Sequence, residues 1–111
     1  MGSKRLGEFE LMVLMSALRL GPDEAYAVPI VDDIEDHTGR RVRRANVYTA
    51  LQRLEAKGLI SSRLGESLPE RGGKARRLVS VEEAGVAAAQ DAAAGLRAMW
   101  AGLESILGDQ P

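Results

Sequence analysis

The segment that decides the fold spans residues 40–77 and reads RRVRRANVYTALQRLEAKGLISSRLGESLPERGGKARR. It carries eleven Lys or Arg and three Glu, whereas the rest of the chain carries four basic and thirteen acidic side chains. The net charge of −1 over 111 residues therefore conceals a basic segment in acidic surroundings. Within it, the sequence predicts a short helix, a strand, a turn containing Pro69, and a second strand. A helix followed by a basic hairpin is typical of a winged helix-turn-helix that holds DNA.

The helix predicted in this segment covers residues 44–57 and ends before Gly58. Apolar residues at helical spacing predict a buried side formed by Val47, Leu51 and Leu54. The opposite face is small, polar and uncharged at its centre, with cationic or polar borders: Ala45, Thr49, Gln52 and Ala56, flanked by Asn46, Tyr48 and Arg53. Short side chains permit approach to base edges, amides and hydroxyls read bases, and Arg binds phosphate. An ordinary solvated helix face would look the same, so the helix alone leaves both interpretations open.

The hairpin is predicted to pair residues 59–64 with residues 75–81 around a turn at 65–74. The predicted hairpin carries four cationic side chains, Arg71, Lys74, Arg76 and Arg77. Such a charge run often serves only as a solvated edge that discourages strand association. Its position directly after a candidate recognition helix favours a wing that contacts phosphate.

Two further helices are predicted upstream, one over residues 6–20 and one that has Pro29 in its first turn and runs to about Thr38, which completes a winged helix-turn-helix domain over residues 6–81. The first helix has one apolar stripe of Phe9, Met12, Val13, Ala17 and Leu20, and a second of Leu11, Leu14, Met15 and Leu18. A helix that is apolar all round is buried on both sides. One small domain offers one interior, so the second stripe indicates contact with another subunit.

The last predicted element is one continuous dimerisation helix over residues 82–107, roughly 39 Å long at 1.5 Å per residue. Its apolar residues alternate spacings of three and four, as a and d positions of a heptad do: Val86, Ala89, Ala93, Leu96, Trp100, Leu103 and Leu107. The dimer seam is predicted at Leu96, Met99, Trp100 and Leu103. Trp100 there either fills space, or flanks with its symmetry mate a cavity for a planar aromatic or phenolic effector.

The composition excludes several classes of protein. The chain has no cysteine and one histidine, His37, which excludes disulfides, thiol catalysis and a multi-histidine metal site. No apolar run approaches the ~20 residues of a membrane span, and the start of the chain lacks the apolar stretch of a signal peptide. We therefore expect a cytoplasmic protein that is not an enzyme and uses no metal or cofactor.

Two runs carry a resemblance to a known family: VYTALQRLEAKGLI from Val47 and PERGGKARR from Pro69. Taken together, they resemble the PadR family of bacterial transcription regulators, with similarity over residues 7–107. The resemblance implies an N-terminal winged helix and a C-terminal dimerisation helix, as in the smaller subgroup of that family. It further implies recognition-helix contacts from Tyr48, Thr49 and Arg53, and wing contacts from Arg71, Lys74, Arg76 and Arg77.

The sequence departs from that pattern just before the recognition helix, where Arg43 and Arg44 stand in place of a frequent Ser or Thr. Without a capping hydroxyl, which is worth about 1 kcal/mol, the helix start is left to fray or to be capped by a DNA phosphate.

The predicted function is that of a homodimeric, sequence-specific repressor on double-stranded DNA with a near-palindromic operator. The expected DNA-binding residues are Arg43, Arg44, Asn46, Tyr48, Thr49, Gln52, Arg53, Arg71, Lys74, Arg76 and Arg77. The alternative is a winged-helix interaction module that presents the same basic face to an acidic protein. Salt-dependent retention on duplex DNA distinguishes the two, because released counterions give a characteristic slope.

Overall fold

The chain folds as an α+β protein in the computed structural model, which describes residues 5–67 and 75–110. Its helices and strands in that part of the chain are α1 (Glu8–Leu20), α2 (Ala27–Thr38), α3 (Arg44–Ala56), β1 (Ile60–Ser67), β2 (Ala75–Val81), α4 (Glu83–Trp100) and α5 (Glu104–Leu107). The two strands form an antiparallel hairpin in which Ile60 pairs with Val81. This order confirms the predicted fold class, a mainly helical winged helix-turn-helix with a small hairpin.

The hydrophobic core lies where α1, α2, α3 and the base of the hairpin meet. Its largest fully buried side chains include Val13, Leu14, Ile30, Val47, Leu54, Leu59 and Val79. The three residues predicted to form the buried side of α3 are all buried. The second apolar stripe of α1 is narrower than predicted, because Leu14 is fully buried while Met15 and Leu18 are exposed.

α2 begins at Ala27, two residues before Pro29. Proline is accepted there because an amide in the first turn of a helix has no intrahelical acceptor to lose. α2 ends at Thr38 and is followed by its C-cap Gly39, and four residues connect Gly39 to α3. This connection places the basic run of residues 40–44 at the entry to α3.

The continuous helix predicted over residues 82–107 is wrong, because α4 ends at Trp100 and α5 is a separate short helix. The break lies at Gly102, whose φ of +90° is incompatible with a right-handed helix. The chain then turns back, and the Trp100 indole N–H donates a hydrogen bond to the Gly108 carbonyl over 2.8 Å. At 18 residues α4 is about 27 Å long.

α4 is anchored to the winged helix at its N-terminal end. The Glu82 amide donates to the Leu59 carbonyl over 2.9 Å, and Gly85 lies so close that a Cβ there would be 2.3 Å from the same oxygen. Gly85 and Ala89 are the buried residues of α4 within the described protomer. No helix in residues 5–67 and 75–110 is both long and apolar enough to cross a membrane.

Candidate nucleic-acid interface

The outward face of α3 is fixed by its packing. Because Val47, Ala50, Leu51 and Leu54 are buried, the opposite face points to solvent, and its residues Ala45, Thr49, Gln52 and Ala56 are exposed. The Thr49 hydroxyl donates to the Ala45 carbonyl over 3.1 Å, which commits its proton and leaves the oxygen as an acceptor. The face is therefore small and uncharged at its centre, as the sequence predicts.

One flank of this face borders a broad basic groove of about 820 Å³. Asn46, Thr49 and Arg53 line it from α3, so the structure brings together three of the residues predicted to bind DNA. Four further basic residues also line it, Arg5, Arg40, Arg41 and Lys57, together with Glu8 and Glu10 and several uncharged residues. Arg40 and Arg41 were not among the predicted contacts, although the basic run that contains them was evident in the sequence.

Two acidic residues at the start of α1 reduce the net positive charge of this groove. Arg40 Nη1 lies 3.3 Å from Glu8 Oε1, and Lys57 Nζ lies 2.7 Å from Glu10 Oε1. Lys57 also donates to the Arg5 carbonyl over 2.8 Å. Lys57 follows the last residue of α3, so these bonds fasten the C-terminal end of α3 to the start of α1.

Glu10 is a buried carboxylate held in its charged form. Burial raises the pKa of Glu10, but the hydrogen bonds from Lys57 and the Gly7 amide, with the charges of Lys57 and Arg53, outweigh burial and lower the pKa. Because the pKa of Glu10 is lowered overall, its surroundings stabilise the charged carboxylate over the neutral acid.

The other flank of α3 faces the hairpin across a cleft of about 300 Å³. Tyr48, Gln52 and Glu55 line the cleft from α3, and Ser62 and Arg77 line it from the strands. Arg77 Nη1 donates to the Ser62 hydroxyl over 2.9 Å, and that hydroxyl donates to the Glu55 carboxylate over 3.0 Å. The structure therefore groups Arg77 with Tyr48 and Gln52.

Arg76 is turned away from this group. Successive residues of a strand point to opposite faces, and the Arg76 guanidinium carbon lies 5.4 Å from the centroid of the Tyr26 ring, where it makes a cation–π contact. Arg76 is half-buried, unlike the exposed Arg77. Arg71 and Lys74, the other two predicted wing cations, lie outside the described residues.

The N-terminus of α3 is bordered by two exposed arginines, Arg43 at the cap position and Arg44 at the first helical position. In the described part of the chain, the cap makes no side-chain hydrogen bond. A helix start with open amides and adjacent cations has the chemistry to accept an anion.

A second group of exposed side chains is apolar and is distributed over α1, α4 and the α5 region. Outside the core, the side chains of Met15, Leu18, Leu96, Met99, Leu103, Ile106 and Leu107 are all exposed, Met99 and Ile106 each by 77%. Three of the four residues predicted at a dimer seam, Leu96, Met99 and Leu103, therefore belong to this group. The fourth, Trp100, is half-buried and bonded to Gly108.

Comparison with known proteins gives a family and a fold. The model of the Transcriptional regulator PadR-like family matches residues 14–91, and a search of curated protein sequences finds no match. The fold is similar to that of a PadR family transcriptional regulator from Eggerthella lenta, at TM-score 0.68 and 22% identity over 90% of this chain and 86% of that chain. It is also similar to a PadR-like transcriptional regulator from Bacillus cereus, at TM-score 0.68 and 17% identity over 91% and 92% of the two chains. A transcriptional regulator from Clostridium thermocellum matches at TM-score 0.69 and 17% identity over 87% of each chain.

Proposed function

The chain belongs to the PadR-like family of transcriptional regulators, and from that premise we propose that it is a homodimeric, sequence-specific DNA-binding repressor. The observation that carries the proposal is the surface of α3. An uncharged reading face lies between two flanks that each present basic side chains, Arg53 with Arg40 and Arg41 on one side and Arg77 on the other.

The arrangement matches the shape of duplex DNA. A major groove is about 12 Å wide, admits one helix, and is bordered on each side by a phosphate backbone. With α3 in the groove, Thr49 and Gln52 meet base edges, while the two basic flanks meet the two backbones. Arg43 and Arg44, with the open amides at the start of α3, are placed to meet a phosphate. Arg71 and Lys74 retain the wing contacts proposed for them from the sequence, whereas we propose that Arg76, held against the Tyr26 ring, stabilises the fold instead.

The proposed dimer uses the exposed apolar side chains of α1, α4 and the α5 region. The proposal is supported by the number of exposed apolar side chains, which indicates a protein partner, and by α4, most of whose residues are not buried in one protomer. A second copy related by a two-fold axis would cover the exposed apolar side chains of α1 and those of α4 together. Two α3 helices then address half-sites about 34 Å apart, which requires a near-palindromic operator. Residues 82–107 serve as the dimerisation segment, and residues 6–81 as the DNA-binding domain.

An aromatic or phenolic effector remains a secondary proposal for the dimer seam. The indole N–H of Trp100 is already bonded to Gly108, which supports the packing role of Trp100, and a ligand would meet the ring only. Trp100 is the single tryptophan of the chain, so its fluorescence reports on the site. A planar phenolic compound that both quenches this fluorescence saturably and releases operator DNA supports the effector role; a panel in which no compound does both removes it.

The deciding experiment is selection of duplex fragments from a random pool by the purified protein. We expect enrichment of one near-palindromic sequence, and a log–log salt slope near −0.9 for each neutralised phosphate. A winged-helix module that binds an acidic protein would enrich no sequence. Such a module would retain all duplex fragments equally, whatever their sequence.

A further inference from the structure

The hydrogen-bonded chain from Arg77 through Ser62 to Glu55 links the hairpin to α3. Ser62 pairs with Val79 and Leu64 with Arg77 across the hairpin, so Ser62 and Arg77 are diagonal neighbours on one face. The guanidinium reaches back towards α3 to donate to the Ser62 hydroxyl over 2.9 Å. The same hydroxyl donates to the two Glu55 oxygens over 3.0 and 3.1 Å.

Ser62 suits this position because a hydroxyl has one proton to donate and lone pairs to accept with. Its proton goes to an anion and its lone pair receives a proton from a cation, so the two charge-assisted bonds polarise each other in the same direction. Each of the two charged side chains is exposed, and in water such chains keep considerable rotamer freedom. The half-buried Ser62 is a hydrogen-bond partner common to Glu55 and Arg77, and it restricts the rotamers of both.

We propose that Ser62 and Glu55 are positioning residues that hold Arg77 beside Tyr48 and Gln52, so that this wing cation acts as part of the α3 reading surface. The proposal rests on the DNA-binding function proposed above and adds a specificity role. A cation held in one position beside α3 reaches a phosphate only when the base edges are aligned with the side chains of α3. A freely moving cation would contact phosphate on any sequence.

Glu55 makes the inference distinctive, because a carboxylate beside DNA normally weakens binding. As a simple charge, Glu55 repels phosphate on every sequence. As a positioning residue, it strengthens binding to the selected sequence through Ser62 and Arg77. These two roles predict opposite signs for the effect of removing its charge on operator affinity.

The test measures affinity for the selected operator and for a scrambled duplex of equal length, by fluorescence anisotropy at fixed salt. We expect Ser62→Ala to weaken operator binding about tenfold, in line with the loss of a hydrogen bond to a charged group. Binding to the scrambled duplex should stay unchanged. Ser62→Thr, which keeps the hydroxyl and suits a strand, should restore operator affinity. Ser61→Ala, on the opposite strand face, is the matched control and should match the wild type.

Glu55→Ala removes both the charge and the acceptor of the Ser62 hydrogen bond, so the sign of its effect on operator affinity separates the two roles. We expect this variant to bind the scrambled duplex more tightly and the operator more weakly than the wild type. Tighter binding to both duplexes would make Glu55 a simple charge and overturn the proposal, as would a Ser62→Ala variant with wild-type operator affinity. A wild-type protein that does not distinguish the two duplexes overturns the proposed function itself, and this inference with it. Glu55 is exposed on α3, so its variant should fold. It therefore tests the positioning role even where Ser62→Ala lowers the melting temperature.

Discussion

At the scale of single residues, two neighbouring arginines of β2 are expected to have different roles, Arg77 in DNA binding and Arg76 in stability. Arg77→Ala should weaken operator binding and flatten the salt slope by about one unit, since one phosphate contact is lost. Arg76→Ala should instead lower stability by roughly 0.5–1 kcal/mol through the loss of its contact with Tyr26. Arg63→Ala is the control, because Arg63 bonds to Asp23 on the other hairpin face. Anisotropy titrations and thermal melts of the three variants separate these outcomes; equal salt slopes for all three would contradict them.

The buried carboxylate of Glu10 gives a prediction about acid stability. Its pKa is lowered in the folded protein from an ordinary value of 4.5. The stability that it contributes is therefore present above that value and is lost as the pH falls through the folded pKa. Glu10→Gln should cost about 1–2 kcal/mol at pH 7, because Lys57 loses a charged partner.

Urea unfolding at pH 7 and at a series of lower pH values measures this difference. The cost of Glu10→Gln should shrink as the pH falls through the folded pKa of Glu10, because the wild-type carboxylate then becomes protonated. Glu8→Gln is the control, since Glu8 is mostly exposed and its pair with Arg40 is on the surface. A cost that persists unchanged at low pH would show that the Glu10 carboxylate charge contributes nothing.

At the scale of elements, two glycines of α4 are expected to respond in opposite ways to alanine. A Cβ at Gly85 would meet the Leu59 carbonyl carbon at 3.2 Å and its oxygen at 2.3 Å, so α4 would have to move away from Leu59, the residue just before β1. We expect Gly85→Ala to destabilise the protein by more than about 2 kcal/mol. Gly95 has open space around its Cβ position, and Gly95→Ala should stabilise α4 by up to about 1 kcal/mol. Thermal unfolding of both variants checks this; similar melting temperatures would show that α4 does not pack closely against Leu59.

Local patterns predicted the elements well, because helix and strand signals are carried by neighbouring residues. The spacing of Val47, Leu51 and Leu54 fixed the inner face of α3, and strand β2 was predicted at its observed bounds. The heptad spacing through Leu103 and Leu107 was misleading. Apolar spacing continues past Gly102, but the backbone does not, because the Trp100–Gly108 bond and the left-handed glycine favour a turn.

The candidate site was less predictable, because its grouping depends on tertiary placement. The sequence identified the outward face of α3 and the cationic hairpin as separate features. It did not show that Arg40 and Arg41 share a groove with Arg53, or that Ser62 links Arg77 to Glu55. It grouped Arg76 with Arg77, although strand alternation alone would have separated them.

At the scale of the whole molecule, the apolar surface of α4 should couple assembly to DNA binding. Leu96→Glu combined with Met99→Glu places charges where a second subunit would bury two apolar side chains. Both residues are exposed in the protomer, so we expect the variant to fold but to elute as a monomer by light scattering. Operator affinity should then fall about 100-fold or more, because the second half-site is no longer bound intramolecularly.

The control for this variant is Ala94→Glu, which adds a charge to the same helix. Ala94 is exposed and lies two residues from Leu96, hence on the far side of α4. It should leave the protein dimeric with operator affinity close to that of the wild type. Binding of a half-site duplex should be similar in all three proteins, since α3 and the hairpin are untouched. A Leu96→Glu and Met99→Glu variant that stays dimeric would place the subunit interface elsewhere on the molecule. A monomer with wild-type operator affinity would show that one winged helix reads the operator alone.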